Sequence, residues 1–245
     1  MFADVNDLTL DEIENIEKLT LRWLVQATLD FGFDAYEIFF YSPDSVKDVA
    51  EDITRDIVER LPGYNTTQRI FGTVDYKKAR YIILPNQIVR QALFVDSKAE
   101  KSNQTATLQI SQTSLEVRQI RSGSVVNVQG RLPAIYFHEN ENYLSSTLFL
   151  HYCYEDINNR HLLKDITVCC IPNGLLQERY NPSSATSFWV AGRNAPSRGE
   201  EFRVRVNFSR LAALAPWRVQ RINISQEERK LFHSWHEQEV SHELH

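Results

Sequence analysis

The chain has 245 residues, of which 42% are hydrophobic and 24% are charged. This composition supports a packed core and argues against an intrinsically disordered protein. No apolar run approaches the roughly 20 residues that a membrane span requires, and the acidic start lacks the apolar core of a signal peptide. We therefore expect a cytoplasmic protein with no membrane partner, whose Cys153, Cys169 and Cys170 are free buried thiols.

The formal net charge is −5, which by itself argues weakly against a nucleic-acid partner. The distribution of charge is more informative than the sum. The first 60 residues are rich in acids, whereas the stretch from Arg179 to Arg221 is rich in arginine, has no lysine and contains only Glu200 and Glu201 as acids. Such an asymmetry allows a basic binding face on an acidic molecule.

Helical patterns open the chain. Thr9 to Glu12 is typical of a capping box, and the apolar residues that follow recur at helical spacing, with Gly32 predicted as the end of this helix. A second helix is predicted over residues 44–60, with Pro62-Gly63 ending it.

The pattern then changes to the alternation of strands. Strands are predicted over residues 69–74, 80–84, 91–98, 125–128, 134–137, 146–154, 165–171, 202–208 and 219–224, with a short helix over 209–215. The tail from Gln226 is polar, and we predict it to be helical or frayed. Together these elements predict a single mixed α/β domain over residues 1–245, with the tail from about residue 226 at its periphery.

The strand from Gln91 to Lys98 carries the most informative polar residues. Side chains alternate along a strand, so Asp96 and Lys98 point the same way. Asp75 ends an earlier predicted strand, and if the two strands pair, both carboxylates can reach one metal ion. The backbone carbonyl of Ser97 is a further predicted ligand.

Phosphodiester hydrolysis needs such a set. Mg²⁺ prefers oxygen ligands, polarises a scissile phosphate and acidifies a bound water, while a neighbouring lysine can orient that water. Glu51 or Asp52 falls off the apolar stripe of the second helix and could face the metal, and we select Glu51 as the helix carboxylate of the site. On the pattern alone, a surface ion pair between Asp96 and Lys98 and a solvated acidic helix face remain open.

Arg203 and Arg205 are predicted to share one face of a strand, with Phe202, Val204 and Val206 on the other. Two guanidiniums at this spacing suit bidentate contacts to guanine in the major groove. Upstream, Arg193 and Arg198 lie in a polar loop of the kind that holds phosphates and sometimes reads bases. An amphipathic strand with a solvated arginine face is the alternative.

An Asp, a spacer and then Asp-x-Lys form the signature of the PD-(D/E)XK nucleases, and over most of its length the chain resembles their SfiI-type restriction endonucleases. The matching blocks include Leu8-Thr9-Leu10-Asp11-Glu12, Ala50-Glu51-Asp52-Ile53-Thr54, Val74-Asp75-Tyr76-Lys77, Val95-Asp96-Ser97-Lys98-Ala99, Thr186-Ser187-Phe188, Arg203-Val204-Arg205-Val206 and Pro216-Trp217-Arg218. The resemblance implies a restriction-endonuclease-like α/β core, with a central mixed β-sheet flanked by helices. It also implies that Asp75, Asp96 and Lys98 are catalytic, and that Arg203 and Arg205 read bases.

The resemblance further implies Mg²⁺-dependent cleavage of double-stranded DNA at an interrupted palindrome, leaving a 5′-phosphate and a 3′-hydroxyl, by a homotetramer of two back-to-back dimers. This chain departs from the family at Thr105, where the family has an arginine, at Arg193, where it has a lysine, and over residues 112–142. Gln104 and Thr105 are therefore kept as further DNA-binding candidates. The recognition sequence and the choice between homodimer and homotetramer stay open. So do two rivals, a structure-specific repair nuclease of the same fold and a non-catalytic DNA-binding module.

Overall fold

The computed structural model describes residues 3–42, 45–59, 80–83, 89–192, 203–225, 227 and 230–237. The helices are α1 (Leu10–Tyr41), α2 (Val46–Glu59), α3 (Gln177–Tyr180) and α4 (Phe208–Leu214), with short 3-10 helices at Val5–Asp7, Ile110–Gln112, Gly174–Leu176 and Pro216–Arg218. The strands are β1 (Arg80–Ile83), β2 (Gln91–Glu100), β3 (Thr105–Gln109), β4 (Glu116–Arg121), β5 (Ser124–Gln129), β6 (Ile135–His138), β7 (Glu141–Ile157), β8 (Arg160–Ile171), β9 (Trp189–Ala191), β10 (Arg203–Asn207), β11 (Val219–Ser225) and β12 (Lys230–Phe232). Among these residues, no helix combines the length and the apolar character that crossing a membrane requires.

A mixed sheet lies at the centre of the described part, as the sequence predicts. Its strand order is β1-β2-β7-β8-β11-β12, and β6 pairs with the beginning of β7. The pair β2 and β7 is parallel, whereas the other pairs are antiparallel. A smaller sheet has the order β3-β10-β9, and β4 and β5 form a separate hairpin. The sequence did not predict β3, β4 or β9, and the strand predicted over 69–74 lies outside the described residues.

The first helix confirms its predicted start but not its predicted end. Thr9 and Glu12 form the capping box reciprocally, because the Glu12 backbone N–H donates to Thr9 Oγ1 (3.3 Å) and the Thr9 N–H donates to Glu12 Oε2 (2.8 Å). The prediction that the helix ends at Gly32 is wrong, since α1 continues to Tyr41. A Cβ at Gly32 would overlap the side chain of Leu231. The glycine therefore makes room for the tail instead of ending the helix.

The prediction of a helical or frayed tail is also wrong for residues 230–237. Strand β12 pairs with the end of β11. Beyond it, the Trp235 ring lies 4.8 Å from the guanidinium of Arg22 on α1, and Glu237 forms ion pairs with Arg22 and with Lys18. Three residues are too few for alternation to reveal a strand, and the partner strand and helix are what order this segment.

Strand β2 has the helices α1 and α2 on one face and the smaller sheet on the other. Leu93 and Val95 lie in the main core with α1 and α2. On the same face, Thr54 of α2 bonds to the hydroxyl of Tyr152 (2.9 Å), which is the register partner of Ala99. Alternation then directs Asp96, Lys98 and Glu100 to the opposite face, where the smaller sheet lies.

One buried ion pair connects distant parts of the chain. Arg218 and Glu17 have fully buried side chains, with Arg218 Nη2 2.7 Å from Glu17 Oε2. The guanidinium carbon lies 4.1 Å from the ring centre of Tyr180 and 4.2 Å from that of Trp217. Burial raises the pKa of Glu17, which Arg218 opposes. A buried charge is tolerated only when it is paired, so this contact fixes α1 against the segment before β11.

Candidate active site

Asp96 and Lys98 meet in the C-terminal half of β2, where the strand passes from buried to partly exposed. Asp96 is 2% exposed, and Lys98 Nζ lies 2.5 Å from Asp96 Oδ2. The Lys98 side chain is 16% exposed. The pair is therefore not a surface ion pair at a strand end: it is a largely buried one, placed between the central sheet and the smaller sheet.

Gln112 joins this pair and was not predicted from the sequence. Its Nε2 donates to Asp96 Oδ2 (2.6 Å), and its Oε1 accepts from Lys98 Nζ (3.1 Å). The same Oε1 accepts from the backbone N–H of Gln109 (3.0 Å), which fixes the amide orientation. No local signal could have found Gln112, because the 3-10 turn that follows β3 brings it back to β2.

Of the three remaining residues predicted for the metal site, the structure describes Ser97 and Glu51 but not Asp75. Ser97 lies between Asp96 and Lys98, with a buried side chain. Glu51 lies on α2, its side chain 27% exposed and its Oε1 3.8 Å from Lys47 Nζ. Asp75 lies outside the described residues.

The donors at the end of β2 fit Mg²⁺ in kind. Within the described ranges, no group of three or more His, Cys, Asp or Glu side chains is placed to hold a metal ion. What β2 offers is the buried carboxylate of Asp96 and a backbone carbonyl. These are hard oxygen donors, which Mg²⁺ prefers while keeping several waters.

His151 is the register partner of Lys98 on β7 and is fully buried. Burial lowers the pKa of His151 to about 4; the carboxylate of Glu100 opposes this shift, and the charges of Arg221 and Lys98 add to it. The imidazole is consequently neutral near pH 7. It adds no positive charge beside Lys98.

Arg203 and Arg205 share one face of β10, as alternation predicts. Val204 and Val206 on the opposite face are fully buried, whereas both arginines are partly exposed. Arg205 Nη1 donates to Thr105 Oγ1 on β3 (3.4 Å). Gln104, which precedes Thr105 in the chain, is exposed. The smaller sheet thus brings Arg203, Arg205 and Thr105 together.

The other two DNA-binding candidates, Arg193 and Arg198, lie outside the described residues.

Glu100 connects the two sheets and was also missed. Its Oε1 accepts from the backbone N–H of Thr107 on β3 (3.0 Å), and its Oε2 lies 4.0 Å from Arg205 Nη2. A signal was present in the sequence, because Glu100 follows Lys98 by two residues and so shares its face.

Comparison with known proteins gives consistent matches. The family model described as "Type II restriction enzyme SfiI" matches residues 29–222. The type II restriction enzyme SfiI of Streptomyces fimbriatus is 38% identical over 240 residues, which cover 92% of this chain and 89% of that enzyme. The crystal structure of tetrameric SfiI bound to cognate DNA has a TM-score of 0.86 at 31% identity, covering 98% of this chain and 94% of that one. The restriction endonuclease BglI, bound to its DNA recognition sequence, is similar in fold, with a TM-score of 0.69 at 19% identity and coverage of 86% of this chain and 90% of that one.

Proposed function

Because the chain belongs to the SfiI family of type II restriction enzymes, and is thus a site-specific deoxyribonuclease, we propose that it cuts double-stranded DNA at an interrupted palindrome in a reaction that requires Mg²⁺. The products carry 5′-phosphate and 3′-hydroxyl ends. The observation that carries this proposal is the buried cluster of Asp96, Lys98 and Gln112, beside a sheet that presents two arginines. We propose that it acts in the cytoplasm, where DNA that enters a bacterial cell would be cut.

Asp96 and Asp75, with the backbone carbonyl of Ser97, are the proposed Mg²⁺ ligands. A bound Mg²⁺ supplies Lewis-acid activation of the phosphate and a lower pKa for an attacking water. Asp96 is 2% exposed, so its attraction for a cation is less screened than it would be at the surface. Glu51 remains a predicted helix carboxylate of the site, although the α2 layer covers the face of β2 opposite Asp96.

Lys98 is proposed to orient the attacking water and to stabilise charge on the phosphate. An ammonium group has three donors. In the described part of the chain, Asp96 Oδ2 and Gln112 Oε1 take up two of them. The third is left for a water or a phosphate oxygen, and the two fixed contacts set its direction. Such preorganised donors act on charge that develops in the transition state.

Arg203 and Arg205 are proposed to read guanines. They leave one face of a strand whose other face is buried, so their guanidiniums point away from the core. Thr105 bonds to Arg205, and Thr105 and the preceding Gln104 are proposed to contact the same stretch of DNA. For Arg193 and Arg198, the proposal rests on the polar loop pattern alone, and phosphate contacts are the expected role.

A palindromic target suits a two-fold symmetric enzyme, in which each protomer cuts one strand. SfiI, at 31% identity, is a tetramer on its cognate DNA. We therefore propose a homodimer as the cutting unit, alone or paired into a homotetramer.

The test is a digest of several fully sequenced phage genomes with Mg²⁺ and with EDTA, followed by sequencing of the fragment ends. We expect discrete fragments that share one interrupted palindrome and disappear in EDTA. A smear without a shared motif would instead indicate a nuclease without strict sequence preference. If the genomes and a library of random duplexes that contains interrupted palindromes are all left uncut, the proposal is contradicted as well.

A further inference from the structure

Glu100 lies where the strand of the cleavage centre meets the arginine-bearing sheet. It ends β2, and its side chain leaves the strand on the same face as Asp96 and Lys98. The side chain is 20% exposed. Both carboxylate oxygens approach the smaller sheet, one at the Thr107 backbone (3.0 Å) and the other at the Arg205 guanidinium (4.0 Å).

The first contact fastens β3 to β2. In the described part of the chain, β3 is an edge strand of its sheet, because the order is β3-β10-β9. The outward N–H groups of an edge strand have no strand partner. The Thr107 N–H is satisfied by a carboxylate, which makes a stronger hydrogen bond than a neutral acceptor. The position of β3 therefore depends on the strand that carries Asp96 and Lys98.

The second contact is an ion pair of 4.0 Å without a hydrogen bond, and it favours positions of the Arg205 guanidinium near β3. Thr107, which Glu100 holds, is the register partner of Arg205, and Thr105 Oγ1 accepts from the same guanidinium (3.4 Å). A long side chain loses rotamer freedom when it is fixed, so an arginine restrained before binding loses less on contact with a base. The remaining donors stay available, because the Arg205 side chain is 42% exposed and a guanidinium has five N–H groups.

The charge of Glu100 has a second consequence. A carboxylate at a DNA-facing surface repels phosphates, which weakens association with every sequence alike. Because this cost is common to all sequences, it leaves the ratio of cognate to unrelated affinity unchanged. Any gain in discrimination therefore comes from the restraint on Arg205.

We propose that Glu100 is a specificity-determining positioning residue, which restrains Arg205 for base reading and ties the recognition sheet to the strand of the cleavage centre. The proposal rests on the proposed function, in which Arg205 reads a base. It adds to that function a residue that contacts neither the base nor the scissile phosphate.

The experiment uses the cognate sequence from the phage digest and duplexes with single-base substitutions. The variant is Glu100→Gln, which keeps the size and an acceptor for the Thr107 N–H but removes the charge beside Arg205. Glu155→Gln is the matched control, because Glu155 pairs with Lys164 (3.0 Å) on another part of the central sheet. Single-turnover cleavage rates are measured for each duplex, and affinity for unrelated DNA is measured in EDTA.

We expect Glu100→Gln to lower the ratio of cognate to substituted cleavage by about tenfold. Affinity for unrelated DNA should be equal or higher, and the melting temperature should stay close to that of the wild type. In an Arg205→Lys background, Glu100→Gln should change the ratio by less than about twofold, because both residues act through one contact. Glu155→Gln should behave as the wild type.

An unchanged ratio in Glu100→Gln, or an effect that multiplies with that of Arg205→Lys, would overturn the proposal. An equal loss of cleavage on all duplexes would overturn it too, since it would show a purely structural role. These outcomes are distinct from failure of the proposed function, in which the wild-type enzyme itself would not discriminate between the duplexes.

Discussion

Gln112 provides the sharpest perturbation of the cluster, because its amide bonds to both Asp96 and Lys98. Gln112→Met keeps the length of the side chain and removes both contacts. Hydrogen bonds to charged groups contribute about 1.5–3 kcal/mol each. Water can replace part of this, since the Lys98 side chain is 16% exposed. If about half of the combined contribution of the two hydrogen bonds is lost from the transition state, cleavage slows by about tenfold to a hundredfold, because each 1.4 kcal/mol is tenfold in rate.

The assay is the single-turnover cleavage rate on the cognate duplex at saturating enzyme, with binding measured separately in EDTA. Gln129→Met is the control, because Gln129 is an exposed glutamine on β5, outside the cluster. We expect slower cleavage by Gln112→Met with cognate affinity within about threefold of the wild type, because Gln112 contacts the groups that are proposed to act in the transition state. A cleavage rate within about twofold of the wild type would refute this reasoning, as would affinity that falls as far as the rate.

Three further predictions concern the fold. Arg218→Met should lower the free energy of unfolding in urea by about 3–5 kcal/mol, because it leaves Glu17 buried and unpaired; the double replacement of both by Met should recover most of the loss, and a single-variant loss below about 1 kcal/mol would contradict this. The pKa of His151 is about 4 when folded and about 6.5 when unfolded, so only the unfolded chain gains this proton between these values. As pH falls from 7 to 4, protonation of the unfolded chain at His151 should therefore lower the free energy of unfolding of the wild type by up to about 3 kcal/mol. In His151→Leu this contribution should be absent, and a pH dependence equal to that of the wild type would contradict the assignment to His151. Gly32→Val should displace Leu231 and expose the tail to limited proteolysis, whereas a tail cleaved no faster than in the wild type would show that the close packing is not needed.

The parts of the site that follow from strand alternation could be predicted from the sequence. Two pairs occupy positions i and i+2 of a strand: Asp96 with Lys98, and Arg203 with Arg205. Each pair therefore shares a face for reasons of local geometry alone. Glu100 obeys the same rule and could have been predicted with them. Burial of the apolar partners, such as Val204 and Val206, confirms which face is turned inwards.

The contacts between distant segments could not be predicted. Glu17 and Arg218 are 201 residues apart in the chain, and Gln112 reaches Asp96 only because the 3-10 turn after β3 folds back on β2. Gly32 was interpreted through its backbone freedom, although the decisive factor is the side chain of Leu231, which reaches α1 through β12. In each case the contact partner is brought close by the tertiary fold, and the local sequence pattern does not identify it.

The central claim is that the end of β2 is the cleavage centre, and Asp96→Asn tests it most directly. The substitution keeps the size of the side chain and removes the charge that is proposed to hold the metal. Its single-turnover cleavage rate on the cognate duplex should fall at least about a hundredfold. Cognate binding in EDTA, measured well below the melting temperature of the variant, should stay close to that of the wild type. A cleavage rate within about tenfold of the wild type would place the cleavage centre elsewhere in the molecule.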